Sequence, residues 1–187
     1  NPELTLYKKP VECIKETKFL DLIWDSRLTF EPHIKYLKAR CYKAMNILKV
    51  LATTGWGADS TTMMKLYRSL IRSKLDYGCI VYGSAANSVL DKLDPAHNQG
   101  IRISLGAFCS SPVESLYVEA NEPPLKIRRD KLTLQYVTKL KANPDNPAYE
   151  PVFNPKYRDL HKNKHNSINP LRWRSTIATS KLSFLRY

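Results

Sequence analysis

Chemistry in a chain begins with carboxylates, imidazoles, thiols and hydroxyls that the fold can bring together. Nucleotidyl transfer by two metal ions needs adjacent carboxylates, read in a sequence as an aromatic-x-Asp-Asp turn. No Asp-Asp pair occurs in the 187 residues. The closest set is Asp21 and Asp25 around Trp24. In a strand their four-residue spacing puts them on one face without a third ligand, so they read as surface carboxylates. His161 and His165 have the i, i+4 spacing that chelates a metal on a helix, but the Lys-Asn-Lys between them and the nearby prolines argue for a solvated loop. The segment Gly78 to Ser84 has the glycine spacing of a phosphate loop but lacks its lysine. No GxSxG turn accompanies a His and an Asp, and the lone His33 and His97 fall at helical positions where a structural histidine is expected. No catalytic residue, metal ligand or cofactor site can be named.

Binding chemistry is better represented. Lys65, Arg68 and Arg72 share one helical face with no acid between them, the pattern of a backbone-binding surface. Lys35 and Lys38 add basic residues to the preceding helix. Net charge is +13 with a pI near 9.6, which favours a polyanionic partner. Residues 126 to 187 hold 14 Lys or Arg against 4 Asp or Glu, a net of +10 of that total.

The elements that must position these residues follow from periodicity. From Leu4 to Trp24, short apolar runs broken by KKP and KETK predict a β-meander over residues 4 to 25. After Pro32, Ile34, Leu37, Cys41, Ala44, Leu48 and Leu51 recur at helical spacing. A second helix is capped by Asp59 or Ser60 and buries Met63, Tyr67, Leu70 and Ile71 up to about Leu75. DYGCIVYGSA reads as a connector or extended piece. A third helix, regular from about Pro95, carries Leu90, Leu93, His97, Ile101, Leu105 and Phe108. A short helix starts at Pro112 with Ser111 as its cap. The helix from about Pro124 to Lys141 has apolar stripes on two sides, so both sides should be covered. From Ala142 onward the chain lacks aliphatics and reads as an extended linker and tail. The expected fold is α+β and predominantly α-helical, divided as residues 1–31, 32–142 and 143–187.

The four cysteines stand singly, and no run approaches the roughly 18 apolar residues of a membrane span. The chain therefore reads as intracellular with reduced thiols, no membrane partner, and Cys41 and Cys79 as small buried hydrophobes. Its first residues, NPELTLYKKP, read as a cut inside a longer protein.

Four blocks in order, FLDLIWDSRLTFEPHIKYLKARC, KLYRSLIRSKLDYGCIVYGSA, LDPAHNQGIRISLGAF and SPVESLYVEANEPPL, resemble the segment after the catalytic palm motifs in reverse transcriptases of LINE-type, non-LTR retrotransposons. The resemblance covers residues 3 to about 150. It implies that residues 1–31 end the palm, with Phe19, Leu20 and Asp21 near the primer grip, and that residues 32–142 form a thumb holding an RNA/DNA template-primer duplex. It also implies a palm domain elsewhere in the same polyprotein, with magnesium bound there, a linker leading toward a ribonuclease H domain in many elements, and a nuclear setting for the parent element. Position 21 is Asp where the family pattern has Gly, and LYKKPVE departs from the family's Gly-containing hairpin. Two other classes fit the residues: a stand-alone or domesticated nucleic-acid-binding module, and a helical protein-interaction domain.

Overall fold

A computed structural model describes residues 5–7, 9–10, 14–52, 58–154, 171 and 174–175. The fold is α+β and predominantly helical, with its strands at the N-terminal end. β1 (Thr5–Leu6) pairs with β2 (Lys9–Pro10), and β3 (Glu16–Phe19) pairs with β4 (Leu22–Asp25). The strands form two separate antiparallel hairpins, with no ladder between them among the described residues.

The second hairpin is closed by Leu20 and Asp21, at φ 48 and φ 60, between the paired residues Phe19 and Leu22. Two central residues with positive φ make the two-residue turn whose twist matches the flanking strands. Asp21 therefore sits in a turn, and the expectation of a strand position shared with Asp25 is corrected. Asp25 instead accepts hydrogen bonds from the Thr29 and Phe30 amides at 3.0 and 2.8 Å. Burial acts to raise its pKa, but these donors outweigh that and lower it.

α1 (Glu31–Leu51) begins with Pro32 in its first turn, where a missing amide costs nothing. His33, Ile34, Leu37, Cys41, Ala44, Met45 and Leu48 form its buried stripe. α2 (Ser60–Tyr67) is capped by Asp59, whose carboxylate accepts from the Thr62 amide at 3.2 Å. It runs into a π-helical turn (Arg68–Arg72) and then α3 (Ser73–Asp76).

The predicted connector at DYGCIVYGSA instead contains a one-turn helix, α4 (Cys79–Tyr82). Gly78, at φ 66, reverses the chain, and its carbonyl accepts from the amides of Val81 and Tyr82. Burial of Cys79 and Tyr82 then holds the turn helical despite its poor propensity. A Cβ at Gly78 would meet Leu22 Cδ2 at 2.7 Å, so the hairpin packs directly on this glycine.

α5 (Asn87–Leu90) and a 3₁₀ turn (Asp91–Leu93) lead into α6 (Asp94–Leu105), which has Pro95 in its first turn as expected. α6 crosses α2 closely, since a Cβ on Gly100 would come within 2.9 Å of the Tyr67 ring. Gly106, left-handed at φ 66, ends the helix, so Phe108 falls outside the stripe and is 81% exposed.

α7 (Val113–Ala120) starts one residue later than expected, because Pro112 is extended at ψ 140. Ser111 makes no side-chain cap there; its carbonyl accepts from Arg102 at 2.9 Å. α8 (Leu125–Lys141) buries Leu125, Arg129, Thr133 and Leu140. The expectation of cover on both sides is corrected, because Ile127 on the other stripe is 58% exposed.

Within the expected irregular tail, α9 (Tyr149–Phe153) is helical, nucleated by Asn146, whose side chain and carbonyl accept from the amides of Ala148 and Tyr149. Leu171, Arg174 and Ser175 are helical too. Arg174 donates to the Ile80 carbonyl at 2.7 Å and to Thr133 Oγ1 at 3.1 Å, tying this part of the chain to α4 and α8. His161 and His165 lie outside the described residues.

One apolar core joins Leu22 of β4 and Phe30 to α1, α2, α6 and α7. Cys41 and Cys79 are buried in it, and burial pushes both thiols up to about 11, so they are neutral hydrophobes at pH 7.

Candidate nucleic-acid interface

Lys65, Arg68 and Arg72 have different surroundings although they share a face in sequence. Lys65 is exposed, with no ion pair among the described residues. Arg68 and Arg72 converge on Glu122, which lies between the left-handed C-cap Asn121 of α7 and the prolines that precede α8. Glu122 Oε1 accepts from Arg68 Nε at 2.6 Å and from Arg72 Nη1 at 2.5 Å, and the same Arg72 nitrogen reaches Oε2 at 2.5 Å. Arg68 also donates to the Ala120 carbonyl at 3.2 Å.

The Glu122 side chain is 1% exposed, against 43% for Arg68 and 19% for Arg72. Arg72 extends the cluster to Asp76 at 3.7 Å, and Asp76 receives Arg128 from α8 at 2.7 Å. Three guanidinium groups therefore share two carboxylates, which ties the π turn to both ends of the α7–α8 connection. In a low-dielectric site such bonds are charge-assisted and geometrically specific.

On α1, Lys35 is exposed and stands 3.7 Å from Glu31, which is also bound by Lys92 at 2.6 Å. Lys38 lies over the Tyr42 ring, 6.0 Å from its centroid. No contact joins these lysines to the arginine cluster among the described residues.

Phe19 and Leu20, at the tip of the second hairpin, are 63% and 68% exposed. Asp21 turns back from them toward α1. Its Oδ1 lies 2.8 Å from Lys18 Nζ and accepts from Tyr36 Oη at 3.2 Å, and Arg40 binds Oδ2. The Lys18 ammonium, with Arg40 and Tyr36 behind it, holds the carboxyl at about 2 against the opposing effect of its partial burial. Asp21 and Asp25 are thus both engaged, and no three His, Cys, Asp or Glu come together among the described residues. These residues do not fit a pair of magnesium ions. His33 and His97 are buried in the helical body; His97 Nδ1 meets Tyr67 Oη at 2.5 Å, and burial lowers its pKa to about 4.

Glu122, Arg40, Tyr36 and Arg174 were not identifiable from spacing. The only signal near Glu122 was its place after a helix-stopping Asn and before Pro-Pro, where a buried carboxylate has no local reason to occur. No helix among the described residues is long and apolar enough to cross a membrane.

No protein-family model and no solved structure matches the chain. Over 87 residues, 46% of its length, it is 29% identical to a probable RNA-directed DNA polymerase from transposon BS of Drosophila melanogaster, and that stretch is 10% of the polymerase. Over 105 residues, 56% of its length, it is 22% identical to a probable RNA-directed DNA polymerase from transposon X-element of the same fly, covering 12% of that protein. The chain thus spans about a tenth of the length of the curated relatives it matches. This distant, partial similarity supports a region related to transposon reverse transcriptases.

Proposed function

We propose that the chain is the palm-end and thumb segment of a non-LTR retrotransposon reverse transcriptase, gripping an RNA/DNA template-primer duplex while the catalytic carboxylates and their magnesium belong to a palm domain of the same polyprotein. The observation that carries this reading is the partial similarity to two transposon polymerases. The net charge of +13, the exposed Lys35 of α1 and Lys65 of α2, and Lys38 on α1 support it further. Phosphate contacts by flexible lysines fix position without reading sequence, as a polymerase that must copy any template requires. Phe19 and Leu20 present an exposed apolar tip on the second hairpin, suited to the primer or to the palm.

The test is fluorescence anisotropy of a labelled RNA/DNA heteroduplex against salt. Affinity should fall steeply, because each neutralised phosphate releases counterions. Reversing Lys35, Lys38 and Lys65 to Glu should weaken binding equally across sequences and flatten the salt slope. Unchanged binding by the triple variant would reduce these lysines to solvated side chains. A helical protein-interaction domain is the second reading, favoured by Phe108 and Val118, which are 81% and 82% exposed.

A further inference from the structure

A cavity of about 190 Å³ opens between the second hairpin, α1 and α3, lined by Asp21, His33, Tyr36, Arg40, Lys74 and Tyr77 among others. It is well above the roughly 30 Å³ that one water occupies in the liquid. Tyr77 Oη donates to the Leu20 carbonyl at 2.9 Å and so holds the turn over this opening. Two cations, Arg40 and Lys74, face one carboxylate in the lining.

Two cations there have spare capacity, and a buried histidine forms part of the wall. Lys74 Nζ donates to the Leu70 carbonyl, leaving two of its three protons. Arg40 uses Nη1 on Asp21 and on Tyr36 Oη, leaving the rest of its fork. His33 is 3% exposed and its Nδ1 accepts from the Ile23 amide at 3.4 Å, which assigns its proton to Nε2. That buried Nε2 has no hydrogen-bond partner among the described residues, which makes the ring a sensitive reporter of any charge placed in the cavity it lines.

We propose that this cavity is a binding site for a phosphate group, with Arg40 and Lys74 as its donors, His33 in its wall, and the Asp21 carboxylate as an internal anion that competes for it. Asp21 already holds what a bound oxyanion would use, namely Lys18, Arg40 and the Tyr36 hydroxyl. Its charge opposes a second anion, and the cationic lining remains when that charge is removed. The inference stands on the hairpin cavity alone and holds whether or not the α1 and α2 lysines bind a duplex.

The test is isothermal titration of inorganic phosphate, at fixed ionic strength, into the full 187-residue protein, into Asp21→Asn and into Asp21→Asn/Arg40→Gln. Asn keeps the side-chain length and adopts the left-handed conformation readily. The Asn variant should bind roughly tenfold more tightly than the parent, a difference of about 1.4 kcal/mol, and the double variant should lose that gain. Phosphate should also move the ring nitrogen resonance of His33. Equal affinity of parent and Asn variant, a gain that survives loss of Arg40, or a His33 signal that stays still at saturation would each overturn the assignment. A nucleoside monophosphate and a short oligonucleotide without terminal phosphates, titrated in parallel, distinguish a free phosphate ester from a nucleic-acid backbone. Were the Asn variant to unfold, pyrophosphate titrated into the parent would serve, and a His33 resonance that does not move would sink the proposal.

Discussion

Replacing Glu122 by Gln removes one charge from the most buried ion cluster among the described residues while keeping the volume of the side chain. The parent carboxylate, 1% exposed, takes Arg68 at 2.6 Å and Arg72 at 2.5 Å. Hydrogen bonds to charged groups contribute about 1.5 to 3 kcal/mol each, and removing one partner of a buried pair costs about 3 to 5 kcal/mol. Two features reduce that figure here. Arg68 is 43% exposed and recovers water, and Arg72 keeps Asp76 at 3.7 Å. The amide oxygen of Gln still accepts one bond, and the cost of burying a carboxylate disappears.

A net destabilisation of about 2 to 3 kcal/mol is expected, read as a drop of roughly 1 to 1.5 M in the urea midpoint for a slope near 2 kcal/mol/M. Because the pair is buried, the loss should persist at high salt, where an exposed pair would be screened. A midpoint within about 0.5 kcal/mol of the parent, or a deficit that vanishes at 1 M salt, would show that the cluster behaves as surface charge. Heteroduplex affinity of the same variant is a separate readout. Arg68 and Arg72 are no longer neutralised, so tighter binding would place them on the duplex-facing surface.

Gly78→Ala should lose about 2 to 4 kcal/mol in thermal or urea unfolding, combining a left-handed backbone with a Cβ placed 2.7 Å from Leu22. The Asp21 carboxyl lies at about 2 in the fold, below its usual value, so its contribution is present above about pH 4 and is lost as pH falls through about 2. Urea midpoints should therefore separate parent from Asp21→Asn near pH 5 and converge near pH 2, and a gap independent of pH would refute this. Arg174→Ala should expose more of α8, detected as faster hydrogen exchange around Thr133, because its guanidinium links Ile80 and Thr133. Primer extension by this chain alone should stay at the buffer level with any divalent metal, and incorporation above it would overturn the assignment of catalysis to another domain.

Much of the helical frame was legible before any coordinates. The stripe from Ile34 to Leu48, the Asp59 cap and Pro95 in a first turn are local matters of period and hydrogen-bond chemistry, and the structure carries all three. Burial of Cys41 followed from the same stripe, and that of Cys79 from its place in an apolar run. The one-turn helix at Cys79–Tyr82 was not legible, because its propensity is poor and only Gly78 beside Leu22 and burial of Tyr82 make it form. Position 21 looked like part of a strand until pairing of Phe19 with Leu22 placed it in the turn.

The basic face shows the division most clearly. Sequence alone determined that Lys65, Arg68 and Arg72 share a helical side, since 3.6 residues per turn requires it. Only tertiary structure decided that Glu122, fifty residues beyond Arg72, would neutralise two of the three and leave Lys65 in water. A charge pair between distant segments has no period and no local signature; it exists because the core brings the α7–α8 connection against the π turn, where the buried Glu122 carboxylate needs guanidinium partners.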